Sequence, residues 1–377
     1  MNTSDKVHFR EVGGRLLFEI DGVVYFDDDV EHITQAFYRL MQMDDRSGRA
    51  FIARACDLAA RRCGIPFRDM GLADAIAVLS DAWSDHDLVL GDGVPNDAES
   101  LSLGGFNLRA ETLWSPAIAD AHDHLMVGSL DPLPHAWLVD RAHGRRPHAP
   151  EYEEEYFEGA VERVGYGSYA EQGGWRMEKS RRQVRQVRAS MAFAGVDSAP
   201  GTRCLDVGCG YGYFRAAAGE VGWHHDGLEV SHFAAEIGHE MFGFQTFVGE
   251  MGDLLSSRPE LYDVIVMWDF IEHVRDPDEV VRLARALLAP GGFVFVRTPS
   301  LMAVEREVFG SDYHSLKLEH LHVFSPESLA RTLGRAGVEP VVLTTESHLL
   351  QGFLGSRVRE LAVTNRGSDI FCGGRVP

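Results

Sequence analysis

Three glycines at alternate positions follow an acid in the stretch CLDVGCGYGYF, residues 204–214. An apolar run ends at Asp206, and Gly208, Gly210 and Gly212 come directly after it. Glycines at this spacing let a ligand approach the backbone closely, because no Cβ atom stands in the way. The Asp206 carboxylate can face a cationic ligand group, or it can accept hydrogen bonds from the loop amides. The stretch therefore predicts a ligand-binding turn between a strand and a helix.

A second acid, Glu229, lies at the tip of the next predicted strand, HHDGLEV, 17 residues after Gly212. A carboxylate at the tip of the second strand of a nucleotide-binding sheet accepts hydrogen bonds from vicinal ribose hydroxyls. A dinucleotide fingerprint, G-x-G-x-x-G, would need a third glycine where this chain has Tyr213. The pattern thus favours a ligand that contains a ribose and disfavours a nicotinamide oxidoreductase.

Strand-like and helix-like segments alternate through the second half of the chain. Helical patterns at 231–242, 278–289 and 325–337 separate the later strands, and the last helix opens with Ser325 and Ser328 as a partial capping box. The alternation predicts an α/β fold with a doubly wound, mostly parallel seven-stranded sheet. In such a sheet, ligands bind beyond the carboxyl ends of the strands, where the glycine turn lies. The predicted strands are 202–208, 224–230, 244–250, 262–268, 292–299, 338–347 and 369–376.

The first half of the chain is predicted to form a separate unit. Two short strands at 16–26 flank Asp21-Gly22, a hairpin signal, and helical patterns follow at 30–41, 49–63 and 72–83. A length of 377 residues allows two domains. We predict an N-terminal α+β or mostly helical accessory domain over 1–150, lid and linker helices over 151–199, and a ligand-binding domain over 200–377.

Composition and charge narrow the class of protein. The formal net charge of −21 disfavours a nucleic-acid substrate. No apolar run reaches 18 residues, and the N-terminus lacks the apolar region of a signal peptide. The five cysteines form no CxxC pair, and five histidines at 122–148 match no compact zinc site. These features predict a cytoplasmic protein with no membrane or nucleic-acid partner and no metal.

One local stretch departs from the acidic composition. Residues 176–188, RMEKSRRQVRQVR, carry six cations and one acid. The stretch is either a solvated helix face, with Val184, Val187 and Met191 pointing inward, or a clamp for an anionic ligand group. Charge runs are usually solvated faces, so the first interpretation is favoured.

The alternate glycine spacing after an acid, D-V-G-C-G-Y-G, resembles the first motif of class I S-adenosylmethionine-dependent methyltransferases, and the resemblance covers about residues 200–377. It implies a methyltransferase of Rossmann-like fold that uses S-adenosylmethionine. The glycine turn and Asp206 would lie against the methionine part and ribose, with Glu229 at the ribose hydroxyls. Glu250 and Met251 would lie near the adenine.

The segment VGYGSYAEQGGWRMEKS, residues 164–180, precedes the first strand of the sheet. In related enzymes such a segment folds over the cofactor as a lid, with tyrosines and an arginine near its carboxylate. The resemblance therefore implies that Tyr166, Tyr169 and Arg176 bind the cofactor. Trp175 is a further candidate, with packing on the sheet as the equal alternative.

The stretch VMWDFIEHVRDP resembles the post-strand motif of small-molecule O-methyltransferases such as those of ubiquinone biosynthesis. In those enzymes an acid-x-x-Glu-His arrangement has been linked to a divalent metal, and Asp269, Glu272 and His273 match it. The alternative is that Asp269 caps a helix whose first turn contains Glu272 and His273. The alternative is favoured, since a site with few ligands binds metal weakly.

His320 and His322 lie two residues apart in KLEHLHVFSPESL, so on an extended segment both point to one side. Together with His273 they are candidate general bases, because an imidazole titrates near neutrality. We name Asp269, His273, His320 and His322 as the candidate catalytic residues.

The resemblance implies methyl transfer to a small-molecule acceptor, first of all O-methylation in specialised or sugar-linked metabolism. One alternative is C- or N-methylation of an anionic acceptor that carries phosphate or carboxylate. Another is a non-catalytic module that binds S-adenosylmethionine and regulates a partner. The N-terminal domain would serve acceptor binding or homo-oligomerisation, and its composition does not decide between the two.

Overall fold

The computed structural model describes residues 7–12, 15–20, 23–25, 70–84, 173–257, 261–309, 321–346 and 364–377, with short pieces at 55, 58–59, 61–62, 64, 152, 154–158, 169, 313, 315 and 320. Some predictions fall outside these residues: the Asp21-Gly22 turn, the helix at 30–41, the histidines at 122–148, Tyr166 and the domain boundary at 150. They stay predictions.

The described part of the chain contains ten strands and nine helices longer than one 3₁₀ turn, numbered here in chain order. The strands are β1 Val7–Val12, β2 Arg15–Ile20, β3 Val23–Tyr25, β4 Arg203–Val207, β5 His224–Glu229, β6 Phe247–Val248, β7 Tyr262–Trp268, β8 Leu288–Pro299, β9 Glu339–Glu346 and β10 Asp369–Arg375. The helices are α1 Leu72–Ser84, α2 Glu154–Glu158, α3 Gly173–Phe193, α4 Tyr213–Glu220, α5 His232–Phe242, α6 Met251–Ser257, α7 Pro277–Leu287, α8 Val304–Phe309 and α9 Pro326–Arg335.

Seven strands form one sheet in the order β6-β5-β4-β7-β8-β10-β9. The pairs β4–β5, β4–β7, β5–β6 and β7–β8 are parallel. The Val376 N–H donates to the Gly292 carbonyl, so the end of β10 lies beside the start of β8 and this pair is antiparallel. The predicted doubly wound, mostly parallel seven-stranded sheet is confirmed. Strand order reverses at β4 and β7, where an open α/β sheet forms its ligand crevice.

Apolar side chains cover both faces of the sheet, as β7 shows. Ile265 and Met267 pack in the cluster that includes α7 and α9, whereas Val264 and Val266 pack with α3 and α4 on the opposite face. Successive residues of a strand point to opposite faces, so a continuous apolar run serves two cores. The predicted inward residues of α3 are buried, and they are Val184, Val187 and Met191.

Helix starts in the sheet region follow capping rules. Asp276 accepts a hydrogen bond from Glu279 N–H, with Pro277 as the first helical residue of α7. At α9, the Ser325 Oγ accepts from Ser328 N–H while the Ser328 Oγ accepts from Ser325 N–H. The expectation of a partial capping box was therefore wrong, because a serine hydroxyl reaches the backbone as a glutamate would. The box is complete.

Contact density divides the chain into two units. One comprises residues 120–299, 317–344 and 370–377 and contains most of the seven-stranded sheet. The other comprises residues 1–119, 300–316 and 345–369, and in it β1, β2 and β3 form an antiparallel sheet. The predicted strands of the hairpin are confirmed by the pairing of Ile20 with Val23, while β1 was not predicted. No helix in the described ranges is long and apolar enough to cross a membrane.

Candidate functional site

A cavity of about 700 Å³ opens at the carboxyl ends of β4, β5 and β7. Its volume lies in the range of sites for cofactors and other small molecules. The structure brings ten of the predicted site residues to its lining: Asp206, Gly208, Gly210, Glu229, Glu250, Met251, Tyr169, Arg176, Asp269 and His273. A second cavity, of about 470 Å³, lies at the amino ends of β4, β5 and β7 and contains none of them.

The glycine turn has the backbone that its sequence predicts. Gly208 and Gly210 have φ values of 69° and 52°, a region that side chains disfavour. A Cβ atom on Gly208 would lie 2.6 Å from the ring of Phe270, and one on Gly210 would lie 3.0 Å from the Tyr169 hydroxyl. Both glycines are thus required by backbone conformation and by close neighbours at the cavity wall.

Gly212 has a different role, since it does not line the cavity. It precedes α4 with a φ of 90°, and a Cβ atom there would lie 3.0 Å from the ring of Phe244. Its lack of a side chain serves the start of the helix and the packing of Phe244.

Glu229 ties the turn to β5. Its Oε2 accepts a hydrogen bond from Gly210 N–H at 2.8 Å, and its Oε1 accepts from Val230 and Ser231 N–H at 2.9 and 3.0 Å. Burial raises the pKa of this carboxyl, and the three amide donors oppose the rise. Each carboxylate oxygen has two lone pairs, so Oε2 retains capacity for a ligand hydroxyl. Glu229 therefore holds the loop and remains suited to a ribose.

Asp206 is 3% exposed at the floor of the cavity. Burial raises its pKa to about 8; the Arg215 cation opposes the rise and Glu229 adds to it. The ligand-free carboxyl is consequently largely protonated at neutral pH. A cationic ligand group beside it would favour the ionised form.

The predicted adenine end of the cavity combines an exposed and a buried residue. Glu250 is exposed at the rim, while Met251 is 4% exposed and packs in the same apolar cluster as Leu228. A thioether against an apolar wall suits a flat ring.

Two lid candidates meet above the turn. The Arg176 guanidinium carbon lies 3.2 Å from the centroid of the Tyr169 ring, a cation–π contact. Both residues line the cavity, whereas Trp175 does not. Instead, Trp175 has Lys179 Nζ at 5.4 Å from its ring.

Asp269 forms an ion-pair bridge. Arg297 Nη1 donates to both of its carboxylate oxygens at 2.9 Å, and Lys179 Nζ donates to Oδ2 at 3.1 Å. Asp269 has a φ of 53°, unusual for a residue with a side chain. The expectation that it caps a helix was wrong, since Phe270 holds the cap position of the 3₁₀ turn Ile271–His273. Instead of capping this turn, the Asp269 carboxylate pairs with Lys179 and Arg297, which are remote in sequence.

Glu272, His273 and His320 form a compact cluster beside the cavity. Their ligand atoms all lie within 4.8 Å of one another. Glu272 is 1% exposed; its Oε2 accepts from the Thr298 hydroxyl at 2.9 Å, and its buried Oε1 has no hydrogen-bond partner. Burial raises the pKa of Glu272, and the nearby Asp269 adds to the rise.

Among the described residues, Glu272, His273 and His320 are the group of three side chains whose ligand atoms lie close enough together to hold a metal ion. One carboxylate and two imidazoles suit zinc or iron. His320 is therefore the third member of this cluster, in place of Asp269, which the sequence motif suggested. The same three side chains are also suited to proton transfer, because His273 lines the cavity.

His322 does not share this position. It is 4% exposed and lies outside the cavity lining, with its Nε2 3.4 Å from the Arg275 carbonyl. Burial lowers its pKa. Its contacts are those of a residue that anchors the loop after the 3₁₀ turn.

Sequence reasoning missed Lys179, Arg297, Trp268 and Tyr213. Of these, Lys179, Trp268 and Tyr213 line the cavity, and Arg297 reaches it through Asp269. A signal existed for Lys179, which lies three residues after Arg176 and so shares its helix face. The exposed remainder of the basic stretch includes Arg181, which pairs with Glu220 at 2.8 Å.

Comparison with known proteins shows the family to which this chain belongs. A methyltransferase-domain family model matches residues 177–343. The ubiquinone biosynthesis O-methyltransferase of Thiobacillus denitrificans is 31% identical over 159 residues, covering 38% of this chain and 67% of that protein. This chain belongs to the class I S-adenosylmethionine-dependent methyltransferases.

Other similar proteins carry related descriptions. A ubiquinone biosynthesis O-methyltransferase of Bordetella avium is 30% identical over 158 residues; the match covers 38% of this chain and 64% of that protein, so just under two thirds of its length is spanned. A crystal structure of a SAM-dependent methyltransferase from Archaeoglobus fulgidus aligns with 55% of this chain and 98% of its own, at 17% identity and a TM-score of 0.41.

The cavity of this methyltransferase fits S-adenosylmethionine, the cofactor of the family. Two buried acids, Asp206 and Glu229, line a turn where a Cβ atom would intrude. An added positive charge beside the buried Asp206 carboxyl would favour its ionised form. The cofactor's ammonium and sulfonium groups supply that charge.

Proposed function

We propose that this methyltransferase transfers a methyl group to a hydroxyl of a small molecule. One observation carries the proposal: His273 lines the same cavity as the glycine turn and Asp206. A hydroxyl acceptor must lose a proton during methyl transfer, and an imidazole is suited to take it. Glu250 and Met251 would hold the adenine, and Glu229 the ribose.

When bound, the cofactor supplies an electrophilic methyl group on a sulfonium, which departs as a neutral thioether. The protein's own task is therefore alignment, exclusion of water and removal of the acceptor proton. His273 would receive that proton inside the cavity. Glu272 and His320, within 4.8 Å of each other and of His273, would orient the imidazole and share the proton.

The acceptor side supports a small molecule rather than a polymer. The cavity volume of about 700 Å³ must hold both cofactor and acceptor. Aromatic side chains, including Tyr152 and Tyr156, line it together with Lys179. The curated relatives are named for O-methylation in ubiquinone biosynthesis, and for this chain we propose O-methylation in specialised or sugar-linked biosynthesis.

Replacement of His273 tests the proposal. His273→Gln should lower methyl transfer to a phenolic or alcohol acceptor by about 10²- to 10⁴-fold, because the positioned base is lost. Transfer of label from methyl-labelled S-adenosylmethionine, with a panel of phenols, alcohols and amines, measures the rate. His232→Gln, an exposed change at the start of α5, is the matched control.

Two of the following results would contradict methyl transfer to a hydroxyl, and metal dependence would contradict the role of His273 as the proton acceptor. If the protein methylated an amine, and His273→Gln did so at an undiminished rate, the reaction would be N-methylation. If a chelator abolished methyl transfer and a divalent ion restored it, Glu272, His273 and His320 would be metal ligands instead of a proton-transfer group. Cofactor binding without turnover of any acceptor would favour a regulatory module.

A further inference from the structure

The helix α3 has a buried polar face at the cavity. Arg176, Ser180 and Gln183 recur on it at helical spacing, and all three line the cavity. Ser180 and Gln183 are only 5% and 7% exposed. The buried face of a helix normally carries apolar residues, as Val184 and Val187 do here. Two buried, uncharged polar side chains beside them therefore need a physical reason.

Ser180 and Gln183 have no hydrogen-bond partner within the described part of the chain. Another buried serine of the same helix differs, since the Ser190 hydroxyl donates to the Gln186 carbonyl at 2.9 Å and lies outside the cavity lining. Buried polar groups normally form hydrogen bonds. The Ser180 hydroxyl and the Gln183 carboxamide thus keep their hydrogen-bonding capacity for a molecule in the cavity.

Two aromatic rings pack with the same helix. Phe214, in the first turn of α4, and Trp268, the last residue of β7, line the cavity with ring centroids 5.4 Å apart. Both belong to the apolar cluster that contains Val187 of α3. The Trp268 Nε1 is buried and has no hydrogen-bond partner among the described residues. Together, Ser180, Gln183, Phe214 and Trp268 form what we call the α3 arm of the cavity.

The side chains of the α3 arm carry no charge. A hydroxyl and a carboxamide both donate and accept hydrogen bonds, which matches the hydroxyl groups of a ligand. The neighbouring cation, Lys179, donates to Asp269 at 3.1 Å. The charged amino-acid end of the cofactor suits the charged side chains Asp206 and Arg176. Gln183 lies about 10 Å farther along the helix than Arg176, so the arm is available to the acceptor.

We propose that Ser180 and Gln183 bind a hydroxyl group of the acceptor other than the one that is methylated, while Phe214 and Trp268 pack against its ring. The acceptor is then an uncharged ring that carries two or more hydroxyl groups. A saturated, sugar-like ring and a phenolic ring share this chemistry. The inference rests on the proposed transfer to a hydroxyl, and it adds the residues that select the acceptor.

Two pairs of acceptors test the inference and separate the two kinds of ring. Resorcinol and phenol are the phenolic pair, and inositol and cyclohexanol are the saturated pair; the first member of each has additional hydroxyl groups. With methyl-labelled S-adenosylmethionine, kcat/KM per hydroxyl group should be at least tenfold higher for the first member of one pair. Gln183→Leu and Ser180→Ala should each lower that value about tenfold, because a bound hydroxyl loses a hydrogen bond. Both variants should leave the second member unchanged within twofold.

Two further measurements exclude a merely structural role. The melting temperature of ligand-free Gln183→Leu should equal or exceed that of the unsubstituted protein, because an unpaired buried carboxamide is removed. The calorimetric affinity for S-adenosylhomocysteine should stay within twofold in both variants. Ser190→Ala is the matched control on α3, since this serine is buried but bonded within the helix. It should leave the ratio of rates within each pair constant.

Equal losses for both members of a pair in Gln183→Leu would overturn the inference alone. Weaker binding of S-adenosylhomocysteine would also overturn it, because the α3 arm would then hold the cofactor. Methylation of other phenols or alcohols, but of neither resorcinol nor inositol, would again contradict this inference alone. If the protein methylated no hydroxyl at all, the proposed function would fail and this inference with it.

Discussion

At the scale of single residues, Asp206 combines deep burial with a position at the cavity floor. Burial raises its pKa to about 8, so at lower pH the free carboxyl carries a proton. A cationic ligand must displace that proton before it gains the full charge interaction. Cofactor affinity and proton release are thereby linked.

We expect S-adenosylmethionine affinity to rise with pH up to about 8 and to level off above it. The sign follows because binding favours the ionised Asp206, so a proton leaves on binding below that pH. Calorimetry from pH 6.5 to 9, in two buffers of different ionisation enthalpy, measures affinity and proton release together.

Asp206→Asn is the control for this linkage. The variant should bind the cofactor more weakly and show little pH dependence, because the titrating group is gone. A pH-independent affinity in the unsubstituted protein would contradict the role assigned to Asp206.

Local pattern was enough to predict several site residues. Gly208, Gly210 and Glu229 follow from the local order of strand, turn, helix and strand, since Gly208 and Glu229 lie only 21 residues apart in sequence. The bridge of Asp269 was not predictable, since Lys179 lies 90 residues away and Arg297 lies 28 residues away. His320 lies 47 residues after His273 in sequence, so no local pattern predicts that the two imidazoles meet.

At the scale of elements, the Asp269 bridge connects α3 to the ends of β7 and β8. Arg297 has a side chain 8% exposed, so it is a largely buried charge that needs its partner. The bridge places Lys179 and Asp269 together at the cavity wall. It adds a polar contact to the apolar packing of α3 on the sheet by Val184, Val187 and Met191.

Asp269→Asn should therefore destabilise the protein by about 2–3 kcal/mol, because the largely buried Arg297 charge loses its ion pair with Asp269. Asparagine tolerates the positive φ of this position, so the effect reports the charge and not the backbone. Urea unfolding, followed by tryptophan fluorescence, measures the difference.

A solvent-exposed ion pair serves as the control for the Asp269 bridge. Arg335 and Asp278 form a contact in which the arginine side chain is 40% exposed. Asp278→Asn should cost about 1 kcal/mol or less, since exposed pairs contribute little. Equal losses in the two variants would show that the Asp269 bridge is no more than a surface contact.

Elements were also the scale at which sequence predicted structure best. Continuous apolar runs such as 262–268 and 292–299 could serve only a sheet buried on both faces, and the structure has them as β7 and β8. The third strand was predicted too long. Of 244–250, Phe247–Val248 alone pairs with β5, at the edge of the sheet formed by the described strands.

At the scale of the whole molecule, the sheet brings together residues from four separate segments. β4 and β5 present acids to the cavity, the segment after β7 presents His273, and Tyr169 and Arg176 come from the chain before β4. Each segment was identifiable alone, and their meeting depends on the parallel strand order. The prediction for residues 1–150 stays open, because no motif there specifies a chemistry.

Direct titration of the cofactor site tests the central claim most plainly. S-adenosylhomocysteine should bind the purified protein with one site per chain, and Glu229→Gln should weaken it at least tenfold, because the turn loses an amide acceptor and the ribose loses a carboxylate. Glu236→Gln, an exposed change on α5, should leave the affinity unchanged. Absence of binding, or tighter binding of NAD, would contradict the account.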